Sequence, residues 1–140
     1  VSRIGNRTHI GRYTLSSWKD LRGVEPSEAK RFLEQQVIAT DRVTVVRCVY
    51  QDATDFPEHF HPQEQITIVE EGTLEFVIEG QTIRVGKGEM ISVEPNVRHA
   101  TRVGNGDGVA TALNLFMIRR ARWGGQPHRA AVPTVMSPAH

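Results

Sequence analysis

The chain has 140 residues and a formal net charge of +1, with 24% charged and 39% hydrophobic positions. That length lets one domain bury a core, and the near-neutral balance excludes the broad basic footprint of a nucleic-acid-binding protein. No apolar run approaches the roughly 20 residues that span a bilayer, so no membrane partner is expected.

Residues 1–25 carry little periodicity, and SSWKDLRGVEP reads as an irregular arm anchored by Trp18. The opening VSRIGNRTHIGRY lacks the apolar centre of a secretory signal. From Ser27 to Ile38, SEAKRFLEQQVI favours a helix by propensity, with Ser27 as its cap. It also runs through Thr40-Asp41 straight into the strand pattern RVTVVRCVY, which leaves open the first arm of a hairpin. The lone cysteine, Cys48, lies in that strand and reads as a small buried hydrophobe. One cysteine excludes an intramolecular disulfide and fits a reducing, cytoplasmic location.

QDATDFP reads as turn material before the histidines His59 and His61. QITIVEE then forms a strand ending at Gly72. TLEFVIE alternates strictly, with Leu74, Phe76 and Ile78 on one face and Glu75 and Glu79 on the other. Glu79-Gly80 makes a tight turn into QTIRV, and Gly86-Lys87-Gly88 turns into EMISV, which stops before Pro95. HATRV, the loop GNGDG and the strand VATALNLFMI complete the pattern. Roughly seven or eight short strands with turns between them imply an antiparallel sandwich or barrel. Arg119, Arg120 and Arg122 beside Trp123 read as a solvated run. The residues 124–140 that follow, rich in proline and small side chains, read as a loosely held tail.

His59 and His61 are two apart, so an extended backbone presents both on one face. Alone, the pair fits either a transition-metal site or a hydrogen-bonded surface pair. Gln65 shares a face with Thr67 and Val69, and His99 opens HATRV after the turn PNVR. Two such strand starts, side by side in an antiparallel barrel, bring the histidines and one amide together. Gln65 then acts as a ligand or hydrogen-bonds a neighbour, while Glu64, the rival ligand, points to the other face. His9, His128 and His140 read as solvated imidazoles.

These residues resemble the cupin superfamily. Its first motif, an HxH followed by a Glu and then a Gly, corresponds to His59-Phe60-His61, Gln65 in the Glu position, and Gly72. Its second corresponds to GEMISVEPNVRH, with Gly88, Pro95 and His99, without the asparagine that commonly follows. The resemblance covers about residues 42–118 and moves 27–38 from helix to strand. It implies an all-β fold, a single-domain cupin jelly roll over 26–123 with an N-terminal arm and a C-terminal tail. It also implies a divalent transition metal held by His59, His61, Gln65 and His99, zinc first, with nickel, iron or manganese as alternatives. The three histidines would act catalytically through that metal.

Within the superfamily the chain is similar to cupin-type cyclases of bacterial aromatic polyketide pathways, through its arm, HFHPQEQ, EPNVRHATRV and its Arg- and Ala-rich ending. The implied reaction is aldol cyclisation of a poly-β-keto chain, a small-molecule polyketide intermediate, in a barrel lined by residues such as Val69, Phe76, Met90, Leu113 and Phe116. Thr67, Thr101, Tyr50 and Asn114 are the polar partners considered there. Cupins that ketonise unsaturated uronates also carry Gln in this position; Arg47, Arg84 or Arg102 converging on the cavity would favour that chemistry. Oxygen-dependent ring cleavage and a non-catalytic binding module are the remaining alternatives. Pairing into a homodimer through N-terminal strands is the assembly the resemblance allows.

Overall fold

A computed structural model of the chain describes residues 2–4, 7–10, 12–21 and 32–117. The expectations for 27–31, the arginine run, Trp123, His128, His140 and the tail lie outside these residues.

The β-branched run after Asp41 sets the centre of the molecule. In β5 (Val43–Tyr50), Thr44, Val46, Cys48 and Tyr50 are buried, and the intervening residues are half-buried. On one side β5 pairs with β4 (Phe32–Ala39), through a turn in which Thr40 N–H donates to the Val43 carbonyl at 2.8 Å. This strand settles the alternative left open by the sequence: a ladder to β5 outweighs the helical propensity of Glu34, Gln35 and Gln36.

Two antiparallel sheets form the jelly roll. The first has the order β10-β7-β12-β5-β4, with β7 at Glu64–Glu71, β10 at Met90–Val93 and β12 at Ala110–Met117. The second has the order β6-β11-β8-β9, with β6 at Asp55–His59, β8 at Thr73–Ile78, β9 at Gln81–Gly86 and β11 at His99–Arg102. Val46, Cys48, Val69 and Ala112 of the first sheet meet Leu74, Phe76 and Val85 of the second in one core.

Several details depart from the sequence reading. DFPEH is a strand rather than a turn: β6 is the edge of its sheet, and Pro57 falls where its register with β11 shifts, positions that tolerate a missing N–H. The start of the arm, which carries little periodicity in sequence, is regular. Its residues form a three-stranded antiparallel meander, β1 (Ser2–Ile4), β2 (Arg7–Ile10) and β3 (Tyr13–Ser16), followed by a 3-10 turn at Trp18–Asp20. The buried Gln36 amide ties this turn to the first sheet: it donates to the Trp18 and Leu21 carbonyls and accepts from Arg47 at 3.3 Å.

Met90 and Leu113 do not line the interior. Met90 pairs with Ile68, whose neighbours Thr67 and Val69 point inward, and it is 64% exposed. Leu113 lies between the buried Ala112 and Asn114, so alternation turns it to the other face. Val69 and Phe76 are fully buried, and Phe116 packs against the core.

Candidate metal centre

His59 and His99 meet by strand pairing. His59 is the last residue of β6 and stands directly opposite His99, the first of β11, with ring centroids 4.4 Å apart. His61 lies two residues on, in the link that leaves this sheet for β7, its ring 5.9 Å from His59 and 5.2 Å from His99. One nitrogen from each of the three rings lies within 4.8 Å of the others. Gln65, at the start of β7, approaches from the opposite sheet, its Oε1 3.1 Å from His61 Nε2. The four residues thus converge, but across the gap between sheets. The two strand starts, Gln65 of β7 and His99 of β11, belong to opposite sheets, and within its own sheet His99 stands opposite His59.

Backbone carbonyls set the state of each ring. His59 Nδ1 donates to the Pro57 carbonyl at 2.9 Å, His61 Nδ1 to that of Gln63 at 3.0 Å, and His99 Nδ1 to that of Val97 at 2.9 Å. A carbonyl only accepts, so each of these contacts places a proton on Nδ1 and leaves Nε2 as the nitrogen each ring can offer to a cation. Burial holds the His61 ring below the usual imidazole range and pushes His99 down to about 4, helped by the neighbouring histidines. At neutral pH both rings are neutral, the form that binds metals.

Two features fit a cation at this place. His99 Nε2 is buried with no hydrogen-bond partner, a costly condition for a polar atom. Both ring nitrogens of His61 face oxygens that only accept, the Gln63 carbonyl and Gln65 Oε1, and a neutral ring has one proton to give, so a shared positive ion relieves the approach at Nε2. Three imidazole nitrogens and an amide oxygen suit zinc, nickel, copper or iron. Glu64, the rival ligand, is exposed and outside the cluster.

The surroundings are aromatic. Phe76 stacks against His99 at 6.4 Å between centroids, and Phe116, opposite Gln65 in the β12–β7 register, meets His61 edge-on at 5.6 Å. Asn96 was not singled out from sequence, yet its N–H donates to the His61 carbonyl at 2.8 Å, pinning the His61 link to the turn before His99. Its left-handed backbone, φ 63°, is one that Asn adopts more readily than most residues, which was the available signal. Behind Gln65, its Nε2 donates to Thr67 Oγ1 at 2.9 Å, and Thr67 donates to Asn114 Oδ1 at 2.7 Å. Thr101 is buried in β11 without a direct bond to the cluster among those described. Arg84 and Arg102 turn outward onto Glu75, at 2.8 and 3.0 Å, and Arg47 pairs with Glu34 at 3.4 Å.

No curated protein sequence matches the chain. Solved structures do. The polyketide cyclase RemF from Streptomyces resistomycificus superposes with a TM-score of 0.64 at 23% identity, covering 76% of this chain and 80% of that one. KdgF from Halomonas sp. gives 0.63 at 19% identity, over 74% and 94%. The DMSP lyase DddQ from Ruegeria pomeroyi DSS-3 gives 0.58 at 19% identity, over 77% of this chain and 60% of that one. At these identities the likeness is one of fold. The family model of the cupin domain matches residues 46–116, a span that begins within β5, ends within β12 and includes all four converging residues. With its two-sheet jelly roll and inward-facing histidines, the chain belongs to the cupin family.

Proposed function

We propose that the chain is a metal-dependent cyclase that closes rings in a poly-β-keto chain by aldol condensation and dehydration, with His59, His61, His99 and Gln65 as the metal's ligands. The observation that carries this reading is the donor set: three neutral imidazoles and a neutral amide, set against Phe76 and Phe116. Such ligands leave a divalent ion its full charge, and the ion would supply Lewis acidity for keto and enolate oxygens. The methylene between two carbonyls is already acidic, so the protein's share is to fix geometry and exclude water.

The chain's own residues suit that share. The three carbonyl-tied Nδ1 atoms hold the imidazoles in one orientation. Phe116, which is only partly buried, gives the folded keto chain an apolar surface to lie against, while the fully buried Phe76 backs His99, and both rings lower the local dielectric, which strengthens every charge interaction nearby. A uronate would need cationic side chains for its carboxylate, but Arg47, Arg84 and Arg102 are engaged by Glu34, Glu75 and Asp107. Fold likeness to RemF adds support.

The test is a cyclisation assay on a linear poly-β-keto thioester, with zinc, nickel, iron and manganese reconstituted in turn. Ring-closed, dehydrated product is expected from the loaded protein, and loss of at least about 100-fold on His99→Ala, the scale on which a stabilising group at developing charge acts. Full activity in metal-free His99→Ala, or turnover of an unsaturated uronate in place of the keto chain, contradicts the reading.

A further inference from the structure

A glutamine ligand has a problem that a glutamate lacks. A carboxylate offers an oxygen whichever way it turns, whereas an amide turned over presents an NH2 group to the cation. Something must hold Gln65 with its carbonyl toward the imidazoles, and the buried face of the first sheet contains a chain of hydrogen bonds that fits this task.

The polarity of that chain can be followed from its far end. There the Tyr50 phenol oxygen and the Cys48 sulfur both accept from one group. The Asn114 amide answers with its NH2: Nδ2 donates to Tyr50 Oη at 2.9 Å and toward Cys48 Sγ at 3.6 Å. Asn114 Oδ1 is thereby turned to Thr67, whose single proton it accepts at 2.7 Å. Thr67, its proton spent, can only accept from the next residue, and Gln65 Nε2 donates to it at 2.9 Å. The Gln65 carbonyl oxygen therefore faces His61. Reversing Gln65 requires reversing Thr67, Asn114 and Tyr50 together. All five residues are buried, at 6% exposure or less, so water is poorly placed to complete a broken link. Thr67, Asn114, Cys48 and Tyr50 alternate inward on three adjacent strands, β7, β12 and β5, so the ladder itself sets the spacing.

We propose that Cys48, Tyr50, Asn114 and Thr67 are a positioning chain that fixes the Gln65 amide with its carbonyl oxygen toward the three imidazoles, allowing a glutamine to serve as a ligand. This rests on the metal-site reading above. Tyr50 and Cys48 reach Gln65 through Asn114 and Thr67, and neither exchanges protons at neutral pH, since burial pushes the Cys48 thiol up to about 11 and raises the Tyr50 phenol well above its usual range. Their part is to set direction.

Cobalt(II) titration of the purified protein tests this, with dissociation constants from competition against a chromophoric chelator, the cobalt visible bands, and the thermal midpoint. Thr67→Val is expected to weaken cobalt binding about 10-fold or more, the usual scale for residues behind a ligand, and to shift the visible bands. Thr67→Ser should restore both. Tyr50→Phe, three hydrogen bonds from Gln65, should weaken binding in the same direction and serves if Thr67→Val does not fold. In a Gln65→Glu background, where orientation no longer matters, both changes should alter affinity less than about 2-fold, the mark of coupled positions.

Two results would overturn the positioning chain while leaving the metal site standing. One is wild-type affinity and bands in Thr67→Val with only the thermal midpoint lowered. The other is an equal affinity loss in the wild-type and Gln65→Glu backgrounds. Absence of cobalt binding by the wild type would instead remove the metal-site reading, and this inference with it.

Discussion

His99 is 1% exposed, and its ring is held by one carbonyl on one side and packed by Phe76 and two other imidazoles on the rest. Its pKa of about 4 in the fold stands against 6.5 for a free imidazole. Between those values the unfolded chain binds more protons, so stability of the metal-free protein rises with pH across that window. The contribution is complete above the unfolded value and lost as pH falls toward about 4; His61, shifted the same way, adds to it. Urea unfolding at about pH 7.5 and about pH 4.5 should differ by on the order of 2 kcal/mol from this ring after allowing for screening. A His99→Gln variant should lose much of that slope, and an unchanged slope would contradict the assignment. His59, His61 and Gln65 were legible in sequence because their spacing is local, and His99 because it closes a second motif after Pro95. Their tautomers were not, since the partners are backbone carbonyls at Pro57, Gln63 and Val97, which any residue supplies.

At the scale of elements, Gly72 joins β7 to β8 with φ 75°, and a Cβ there would lie 2.5 Å from the Val109 carbonyl oxygen. Strain and collision act together, so Gly72→Ala should cost about 2–4 kcal/mol in urea unfolding; a loss below about 0.5 kcal/mol would show that the turn relaxes freely. Strands β7 and β8 were readable because their alternation matches what they bury. β6 was not: Asp55, Pro57 and Glu58 look like turn residues, and only pairing with β11 makes them an edge strand. The same holds for β4, where the ladder to β5 overrides helical propensity, and for the meander of β1, β2 and β3, whose sequence alternates weakly. Met90 and Leu113 were misplaced because composition marks a residue as apolar without saying which face of a strand it occupies.

Across the whole molecule, the candidate centre lies between two sheets, with His59 and His99 on one, Gln65 on the other and His61 in the connection. No helix among the described residues is long and apolar enough to cross a membrane. The cupin architecture was legible from two motifs at their proper separation, whereas the order β10-β7-β12-β5-β4 that lines up Gln65, Thr67, Asn114 and Cys48 arises from pairings distant in sequence. Everything proposed about activity depends on one claim, that these four residues hold a divalent transition metal. Elemental analysis of the purified protein after saturation and desalting tests it most directly. About one transition-metal ion per chain is expected in the wild type, and less than about a tenth of that in His61→Ala and His99→Ala. A wild type that retains no metal, or a His99→Ala variant that retains a full equivalent, would contradict the claim.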